Sequence, residues 1–189
     1  MSTLIVENLK GPTTGANANK ITIPSGQTLS AAGHVIQVKQ TVVGGVFSSS
    51  IGNGFVEMTD FRTAITPSST SNKILATATL HVGTAYWQIR GRLLRDTTPI
   101  GLGDARGNRT VCTWQQIEYP EGDATYTMNT TGFQFLDSPA TTSSVTYSID
   151  IGGFDTGYAV YLNRANNDNN FASYNGQPMS ALTVMEIAG

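Results

Sequence analysis

The sequence predicts an all-β protein, built as an antiparallel, jelly-roll-like β-sandwich with an extended N-terminal arm. Three observations support this prediction. Only 13% of the 189 residues are charged and 20 are Gly, a composition that suits turn-rich β structure better than helices. From His34 onward, apolar and polar residues alternate with a period of two. Clusters of Gly, Pro, Asn, Asp and Ser separate the alternating runs and accommodate tight turns.

Residues 1–33 are predicted to form an attachment arm rather than part of the sandwich. The segment is poor in apolar residues, is interrupted by glycine and proline, and contains two short extended pieces at Leu4–Val6 and Lys20–Ile23. Such a segment cannot bury a core of its own, and chain ends are usually disordered unless something holds them. We therefore expect residues 1–33 to dock on a neighbouring chain or on another protein.

Residues 34–189 are predicted to form the sandwich, from about nine or ten short strands. Antiparallel strands in this number favour two packed sheets, because double-sheet packing buries both inner faces. Four runs define strand faces by alternation: Ile36, Val38 and Val42; Ile74, Ala76, Ala78, Leu80 and Val82; Trp87, Ile89, Gly91 and Leu93; and Val145, Tyr147, Ile149 and Ile151. Further strands are predicted at 55–65, 110–119, 125–136, 158–163 and 181–187.

Charge and hydropathy exclude two classes of partner. A net charge of −2 with scattered basic residues gives no cluster for a nucleic-acid backbone. No apolar run approaches the roughly 18 residues that a membrane span needs, so membrane insertion is not expected. The single Cys112 cannot form an internal disulfide, so packing, together with partner chains, has to hold the fold.

The sequence offers no recognisable catalytic constellation, and we expect the protein not to be an enzyme. The only two histidines have simpler interpretations, since His34 lies at the end of the arm and His81 on the polar side of an alternating strand. Cys112 lies in a predicted strand as a packing residue. Zinc would need more His and Cys ligands than these three. Three acidic groups could be imagined flanking a sugar bond, but solvated surface charges are the simpler interpretation: Glu57 with Asp60; Glu118 with Glu121 and Asp123; and Asp150 with Asp155. No cofactor is expected.

Two loops require separate interpretation. The stretch Gly101–Gly107 has glycines at the wrong spacing for a phosphate loop, so a connection between strands is predicted. The run Asn163–Asn170 offers oxygen ligands, but it lacks the graded acidic spacing of a calcium loop. An exposed hairpin tip is therefore predicted there. Its candidate contacts to a partner are Asn166, Asn167, Asp168, Asn169 and Asn170.

Aromatic residues give the sequence its other candidate contacts. Flat amphipathic rings beside polar groups can stack on sugars, although core packing is the competing and favoured interpretation. Position in the sequence does not separate the two roles. The residues concerned are Tyr86, Trp87, Trp114, Tyr119 and Tyr174.

Several stretches together resemble tail-fibre-like and virion structural proteins of marine and cyanobacterial bacteriophages: Gly33–Thr41, Ile65–Leu75, Ile100–Arg109, Phe135–Thr141 and Leu182–Ile187. The resemblance covers nearly all of residues 33–187, and Ala18–Thr28 is similar to the junction that leads into fibre heads. It implies a homotrimeric head similar in plan to tumour-necrosis-factor or complement jelly rolls, fixed to a virion by its N-terminal arm. It carries no catalytic residues.

Two functions from different classes follow as expectations. The first is a tail-fibre-like head whose loops attach to a glycan or receptor on the host surface. The second is a capsid decoration or tail-assembly protein that binds other virion proteins through residues 1–33. Both place the protein on the virion, at the tail or on the capsid surface. Enzymatic cleavage of host polysaccharide is a third and weaker alternative.

Overall fold

The computed structural model describes residues 10–18, 20–21, 23, 25, 31–51, 54–117, 126–153, 155, 157–173 and 175–189. The chain divides into two compact units, Met1–Ala31 and Ala32–Gly189. In the first unit, the Ala18 amide donates to the Gly15 carbonyl at 3.0 Å and so closes a turn. The predicted extended piece Leu4–Val6 lies outside the described residues, as does Thr22 of the second piece. The role of residues 1–33 as an arm stays a prediction.

The second unit is all-β in the part of the chain that the structure describes, and the predicted fold class is confirmed. Its strands are β1 (Val35–Val43), β2 (Phe47–Ser49), β3 (Val56–Ile65), β4 (Lys73–Thr84), β5 (Gln88–Arg95), β6 (Thr98–Ile100), β7 (Trp114–Ile117), β8 (Asn129–Asp137), β9 (Val145–Gly152), β10 (Val160–Leu162) and β11 (Ser180–Ile187).

The strands form two sheets in which every pair is antiparallel. The larger sheet runs β1-β11-β4-β8, and β10 continues beside β4 beyond the end of β11 and pairs with β2. The smaller sheet runs β3-β9-β5, and β5 pairs on its other side with β6 and β7. Neighbours in each sheet are mostly distant in sequence, so long-range packing determines the fold.

The core lies between the two sheets and comes from the alternating strands that the sequence identified. In β4, all five predicted inward residues from Ile74 to Val82 are buried, and in β9 the predicted face from Val145 to Ile151 is buried as well. Phe61 and Met58 of β3 join them with almost no exposed surface. Burial of a large apolar side chain such as Phe61 or Met58 stabilises the fold by about 1.5–3 kcal/mol.

Strand β1 alternates as predicted, but its apolar face points to solvent. Val38 is 53% exposed and Val42 is 52% exposed. The opposite face turns inward, where the Thr63 hydroxyl of β3 donates to the Thr41 hydroxyl at 2.7 Å. The inner side of β1 is therefore partly polar, and the valines are left on the outside of the larger sheet.

Strand β5 begins one residue later than its alternation suggested. Trp87 precedes the strand with a φ of 59° and is 39% exposed, so it does not share the buried face of Ile89 and Leu93. The ring of Trp114 lies against Gly91 instead, where an added Cβ would come within 2.5 Å of Trp114 Cζ2. Gly91 is needed because the indole occupies the place of its side chain.

Two short strands, β2 and β6, were not predicted. β6 follows a two-residue turn at Asp96–Thr97, in which Asp96 adopts a φ of 55°. Pro99 interrupts the sequence signal of β6, but it is tolerated because the strand lies at the edge of the sheet. The strand predicted at 110–119 begins later, because β7 starts only at Trp114. Residues 118–119 lie outside the described part of the chain.

The sandwich has two distinguishable ends. At the entry end, the Gly33 amide donates to the Ala188 carbonyl and the Ala188 amide donates to the His34 carbonyl, both at 2.8 Å. β1 then runs nine residues, about 30 Å, to the distal end. There Gln177 Nε2 donates to the Gly44 carbonyl at 3.0 Å. The entry end thus holds both residue 33 and the last strand's terminus, and the distal end holds the loops that follow β1 and β10.

Candidate functional site

The connection from β10 to β11 forms a depression at the distal end. Asp168, Asn169 and Asn170 line it together with Phe171, Ala172 and residues 175–177, and its volume is about 320 Å³. Asn175 Nδ2 donates to the Asn169 side-chain oxygen at 2.7 Å and to its carbonyl at 2.8 Å. These bonds hold the two sides of the loop together.

Asn163 anchors this loop rather than forming its exposed tip. Its side chain has no exposed surface, and its φ of 57° is a conformation that Asn tolerates better than most residues. Its Nδ2 donates to the carbonyls of Val43 and Gly45 at 2.7 and 2.8 Å, and its Oδ1 accepts from the Ser180 hydroxyl at 2.6 Å. The buried amide therefore fixes the loop to β1 and β11.

The five predicted contact residues divide into two groups. Asn166 is half-buried and accepts a hydrogen bond from the Tyr161 hydroxyl at 2.7 Å, and Asn167 is half-buried too. Asp168, Asn169 and Asn170 are exposed and reach the depression. The structure thus brings three of the five together at one concave surface, and their role in binding a partner stays a prediction.

Arg164 neutralises the loop's acidic residue. Its Nη1 lies 3.4 Å from Asp168 Oδ2, and its guanidinium carbon lies 4.4 Å from the centre of the Tyr161 ring. In the described part of the chain, no group of three or more His, Cys, Asp or Glu side chains could hold a metal ion. The depression therefore presents amides, a carboxylate paired with arginine, and the ring of Phe171.

A second distal feature is a cluster of three aromatic residues. The rings of Tyr86 and Tyr158 stack at 4.4 Å, and Tyr86 and Trp87 lie 5.6 Å apart. Trp87 is 39% exposed and Tyr158 is 37% exposed. The sequence indicated Tyr86 and Trp87 but missed Tyr158, which follows a glycine-rich turn and comes close only through the pairing of β10 with β4.

The remaining aromatic candidates have other placements. Trp114 is buried in the core, as the favoured interpretation predicted. Tyr119 and Tyr174 lie outside the described residues.

The residues considered for catalysis are dispersed. His34 lies at the entry end, whereas His81 Nδ1 contacts the Thr130 hydroxyl at 3.0 Å on the outside of the larger sheet. Cys112 is half-buried, and burial raises the pKa of its thiol, which disfavours the thiolate. No two of these three residues share a hydrogen bond in the described structure.

The acidic groups are largely engaged by arginines. Glu57 and Asp150 are cross-strand neighbours, but Glu57 pairs with Arg62 at 2.7 Å and Asp150 pairs with Arg92 at 2.5 Å. Asp60 and Asp155 are exposed. The third predicted group, Glu118, Glu121 and Asp123, lies outside the described residues. That the protein is not an enzyme remains an expectation.

The outer face of the larger sheet presents cross-strand rows of side chains, some exposed and some half-buried. One row is apolar across four strands and runs from Val38 through Met185 and Leu75 to Leu136. Val38 and Leu136 are the most exposed of the four, at 53% and 48%. Large apolar side chains so arranged are uncommon on a sheet that faces only water.

Two more rows continue this surface without a charged side chain. Gln40, Thr183, Thr77 and Gln134 form the second row, in which Gln40 Nε2 donates to the Thr183 hydroxyl at 2.8 Å. The third consists of Val42, Ala181, Thr79 and Gly132. We call these three rows the uncharged face.

Among the described residues, no helix is long and apolar enough to cross a membrane.

Comparison with known proteins gives distant likenesses among solved structures. No protein-family profile and no curated protein matches the chain. Among solved structures, a mutant VP2 protein of infectious bursal disease virus in T=1 particles matches with a TM-score of 0.38 and 12% identity, over 94% of this chain and 44% of that chain. Virus-derived T=1 particles match with 0.35 and 10%, over 92% and 42%. A VP2 subviral particle of the same virus matches with 0.35 and 13%, over 94% and 46%. The chain spans less than half the length of each, and no functional inference rests on these likenesses.

Proposed function

We propose that this protein is a non-enzymatic structural protein of a bacteriophage virion, a tail-fibre-like head that attaches to the host surface and is anchored by residues 1–33. One observation carries the proposal: the two ends of the sandwich differ. Gly33 enters the sheet at one end, and the exposed aromatic cluster and the amide-rich depression lie at the other. An anchor at the entry end leaves the distal loops available for contact.

The chemistry of the distal end suits a carbohydrate. Sugar rings present apolar faces that stack on Trp and Tyr, and hydroxyls that exchange hydrogen bonds with amides. Trp87 and Tyr158 supply exposed rings, and Asn169 and Asn170 supply amides. A glycan on the host surface is therefore the ligand that these residues favour, and the sequence resemblance to tail-fibre-like proteins supports the same role.

The uncharged face favours contact with further copies of the chain, consistent with the proposed homotrimer. Interface cores are depleted of charge, as these three rows are. The three rows span five residues of each strand, about 17 Å, and four strands about 4.8 Å apart then give a projected area of roughly 330 Å². A stable interface buries about 800 Å² per partner, so the face forms the centre of such a contact and needs a rim around it.

Competition for host adsorption tests the attachment role. Purified protein is added to host cells before the phage that encodes it, and adsorption is counted. We expect the wild-type protein to block adsorption, and a Trp87→Ala, Tyr158→Ala double variant to lose this effect. Val46→Ala, which changes an exposed valine in the loop between β1 and β2, is the matched control and should still block. Cells that neither bind the wild-type protein nor lose phage adsorption contradict the attachment role.

Copy number separates this function from capsid decoration or tail assembly. Attachment predicts few copies per particle, at the tail. Many copies distributed over the capsid would favour decoration, and quantitative mass spectrometry of purified particles measures the difference.

A further inference from the structure

Another concave surface lies on the outside of the smaller sheet, near its distal end. The side chains of Gln88, Arg90, Asn108, Arg109, Thr110 and Gln115 line it, and its volume is about 380 Å³. We call it the arginine pocket. Its lining contains two arginines, three amides and a hydroxyl, and none of the six side chains is a carboxylate.

Strand pairing fixes the floor of the arginine pocket. Arg90 of β5 lies directly opposite Gln115 of β7. The Arg90 side chain is 7% exposed, and its Nη2 donates to the Gly153 carbonyl at 2.9 Å. Burial keeps water from much of this guanidinium, and it lowers the pKa of the group below its ordinary value. A rigid and poorly hydrated cation is a favourable partner for an anionic oxygen.

The neighbouring acidic residue is engaged elsewhere. Asp150 accepts two-pronged hydrogen bonds from Arg92, with Nη2 to Oδ2 at 2.5 Å, and Arg92 also lies 3.8 Å above the Phe55 ring. Arg90 lies further from that ring, at 5.9 Å. Asp150 is thus paired with Arg92, and the side chains of Arg90 and Arg109 both line the pocket.

We propose that the arginine pocket binds a carboxylate-bearing sugar residue, such as a uronic acid, with Arg90 and Arg109 holding the carboxylate. The amides of Gln88, Asn108 and Gln115 and the hydroxyl of Thr110 bind the sugar hydroxyls, since both groups donate and accept hydrogen bonds. The volume lies in the range of pockets that hold small organic ligands and exceeds what a bare inorganic anion fills. The inference rests on the proposed function for its biological meaning, because it names an acidic glycan as the surface recognised.

Titration of the full-length, ¹⁵N-labelled chain tests the proposal. The probes are methyl glucuronide, the neutral methyl glucoside, and sodium sulfate, each followed by amide chemical shifts. We expect saturable shifts of residues 88, 90, 108–110 and 115 with the glucuronide, much weaker binding of the glucoside, and weaker binding of sulfate. Glucoside binding as tight as glucuronide binding overturns the role of the arginines. Sulfate binding as tight as glucuronide binding overturns the assignment to a sugar.

Two exposed arginines of one loop provide a matched pair of variants. Arg109→Gln removes a charge from the pocket and should weaken glucuronide binding about ten-fold, the effect of losing a charge-assisted hydrogen bond. Arg106→Gln removes the same charge from the same loop outside the lining and should leave binding unchanged. Equal effects of both substitutions, or no saturable shifts up to the solubility of the glucuronide, overturn the proposal.

These results are independent of where the protein lies. Sugar binding by a chain that is absent from phage particles would preserve the pocket and contradict the proposed function. A chain that is found on particles but does not bind glucuronide would contradict the role of the pocket and leave the proposed function standing.

Discussion

Tyr147 donates a hydrogen bond from its hydroxyl to Asp137 Oδ2 at 2.6 Å and so joins the two sheets through the core. Tyr147 belongs to β9 of the smaller sheet and Asp137 to the end of β8 in the larger one. Arg95 Nη1 completes the group at 3.0 Å from both carboxylate oxygens. Burial, and then the bond to Asp137, raises the pKa of Tyr147 far above its ordinary value, so the phenol remains a donor.

Removing this hydroxyl should lower the free energy of unfolding. We expect Tyr147→Phe to cost about 1.5–3 kcal/mol, because the lost hydrogen bond has a charged acceptor. Tyr161→Phe removes a hydroxyl whose acceptor, Asn166, is neutral, and should cost about 0.5–1.5 kcal/mol. Urea unfolding of both variants measures the difference. A Tyr147→Phe protein as stable as the wild type would show that the sheets do not depend on this bond.

A buried carboxylate at the entry end should make stability sensitive to acid. Glu186 has no exposed surface, and it accepts hydrogen bonds from Gln37, Asn72 and both the amide and hydroxyl of Ser68. Burial raises its pKa, but these donors outweigh burial and leave the pKa below the ordinary 4.5. The stabilisation is therefore complete above about pH 4.5 and is lost as the pH falls through the lower folded-state value.

Glu186→Gln tests this dependence, because the amide turns a donor toward Ser68 and Asn72. We expect a loss of about 2–3 kcal/mol at pH 7. The gap from the wild type should shrink below about pH 4.5, where the unfolded wild-type chain begins to bind a proton at Glu186. Urea unfolding at a series of pH values measures the gap. A gap that stays constant from about pH 7 to about pH 3 would mean that the charge of Glu186 does not contribute.

Asp150 should have the opposite effect to Glu186 on how stability depends on pH. Burial raises its pKa more than Arg92 lowers it, so the folded carboxyl binds a proton more readily than the ordinary value of 3.8 implies. Its charged form therefore costs stability at neutral pH, and the cost disappears as the pH falls below 3.8. We expect ¹³C-detected titration to give Asp150 a midpoint above the ordinary pKa of 3.8. A midpoint below 3.8 would show that the pairing of Asp150 with Arg92 outweighs burial.

The close approach of Trp114 to Gly91 should make this glycine intolerant of any side chain. Gly91→Ala places a Cβ about 2.5 Å from the indole and should cost about 1–3 kcal/mol through overpacking. Gly103→Ala is the control, since its Cβ would lie 3.9 Å from the nearest heavy atom, the Cys112 carbonyl oxygen, and should change stability little. Thermal unfolding followed by tryptophan fluorescence compares them. Equal melting temperatures of the two variants would show that the Trp114 ring does not lie against Gly91.

The uncharged face should control association of the chain. Val38→Lys and Leu136→Lys each put a charge into its apolar row and should reduce the mass measured by analytical ultracentrifugation toward that of a monomer. Val46→Lys adds the same charge at an exposed valine outside the three rows and should leave the mass unchanged. A wild-type chain that stays monomeric at all concentrations contradicts the proposed contact between copies.

Local alternation correctly predicted which residues of some strands enter the core. β4 and β9 show this, since every residue assigned to their apolar faces is buried. β1 shows the limit of such reasoning. Its alternation is correct, but which face turns inward depends on β3 and β11, and the sequence pattern contains no information about those partners.

The polar clusters and pockets were predicted less completely, because the contacts that build them join residues far apart in the chain. Glu186 gave no local signal, because its donors lie 114 to 149 residues away in the chain. Asn163 was included in an exposed run, although long-range bonds to Val43 and Gly45 bury it. Asp168 and its two neighbours were found because a run of short polar residues indicates an exposed loop. The pocket around Arg90 forms only when β5 and β7 pair.

A reconstruction of the phage particle tests the central claim most directly. At a resolution that shows the strands, we expect a few copies at the tail, with Gly33 and Ala188 directed toward the particle and Trp87 and Asn169 directed outward. A sandwich whose distal end is buried against the particle, or particles that lack the chain, would contradict the proposed attachment role.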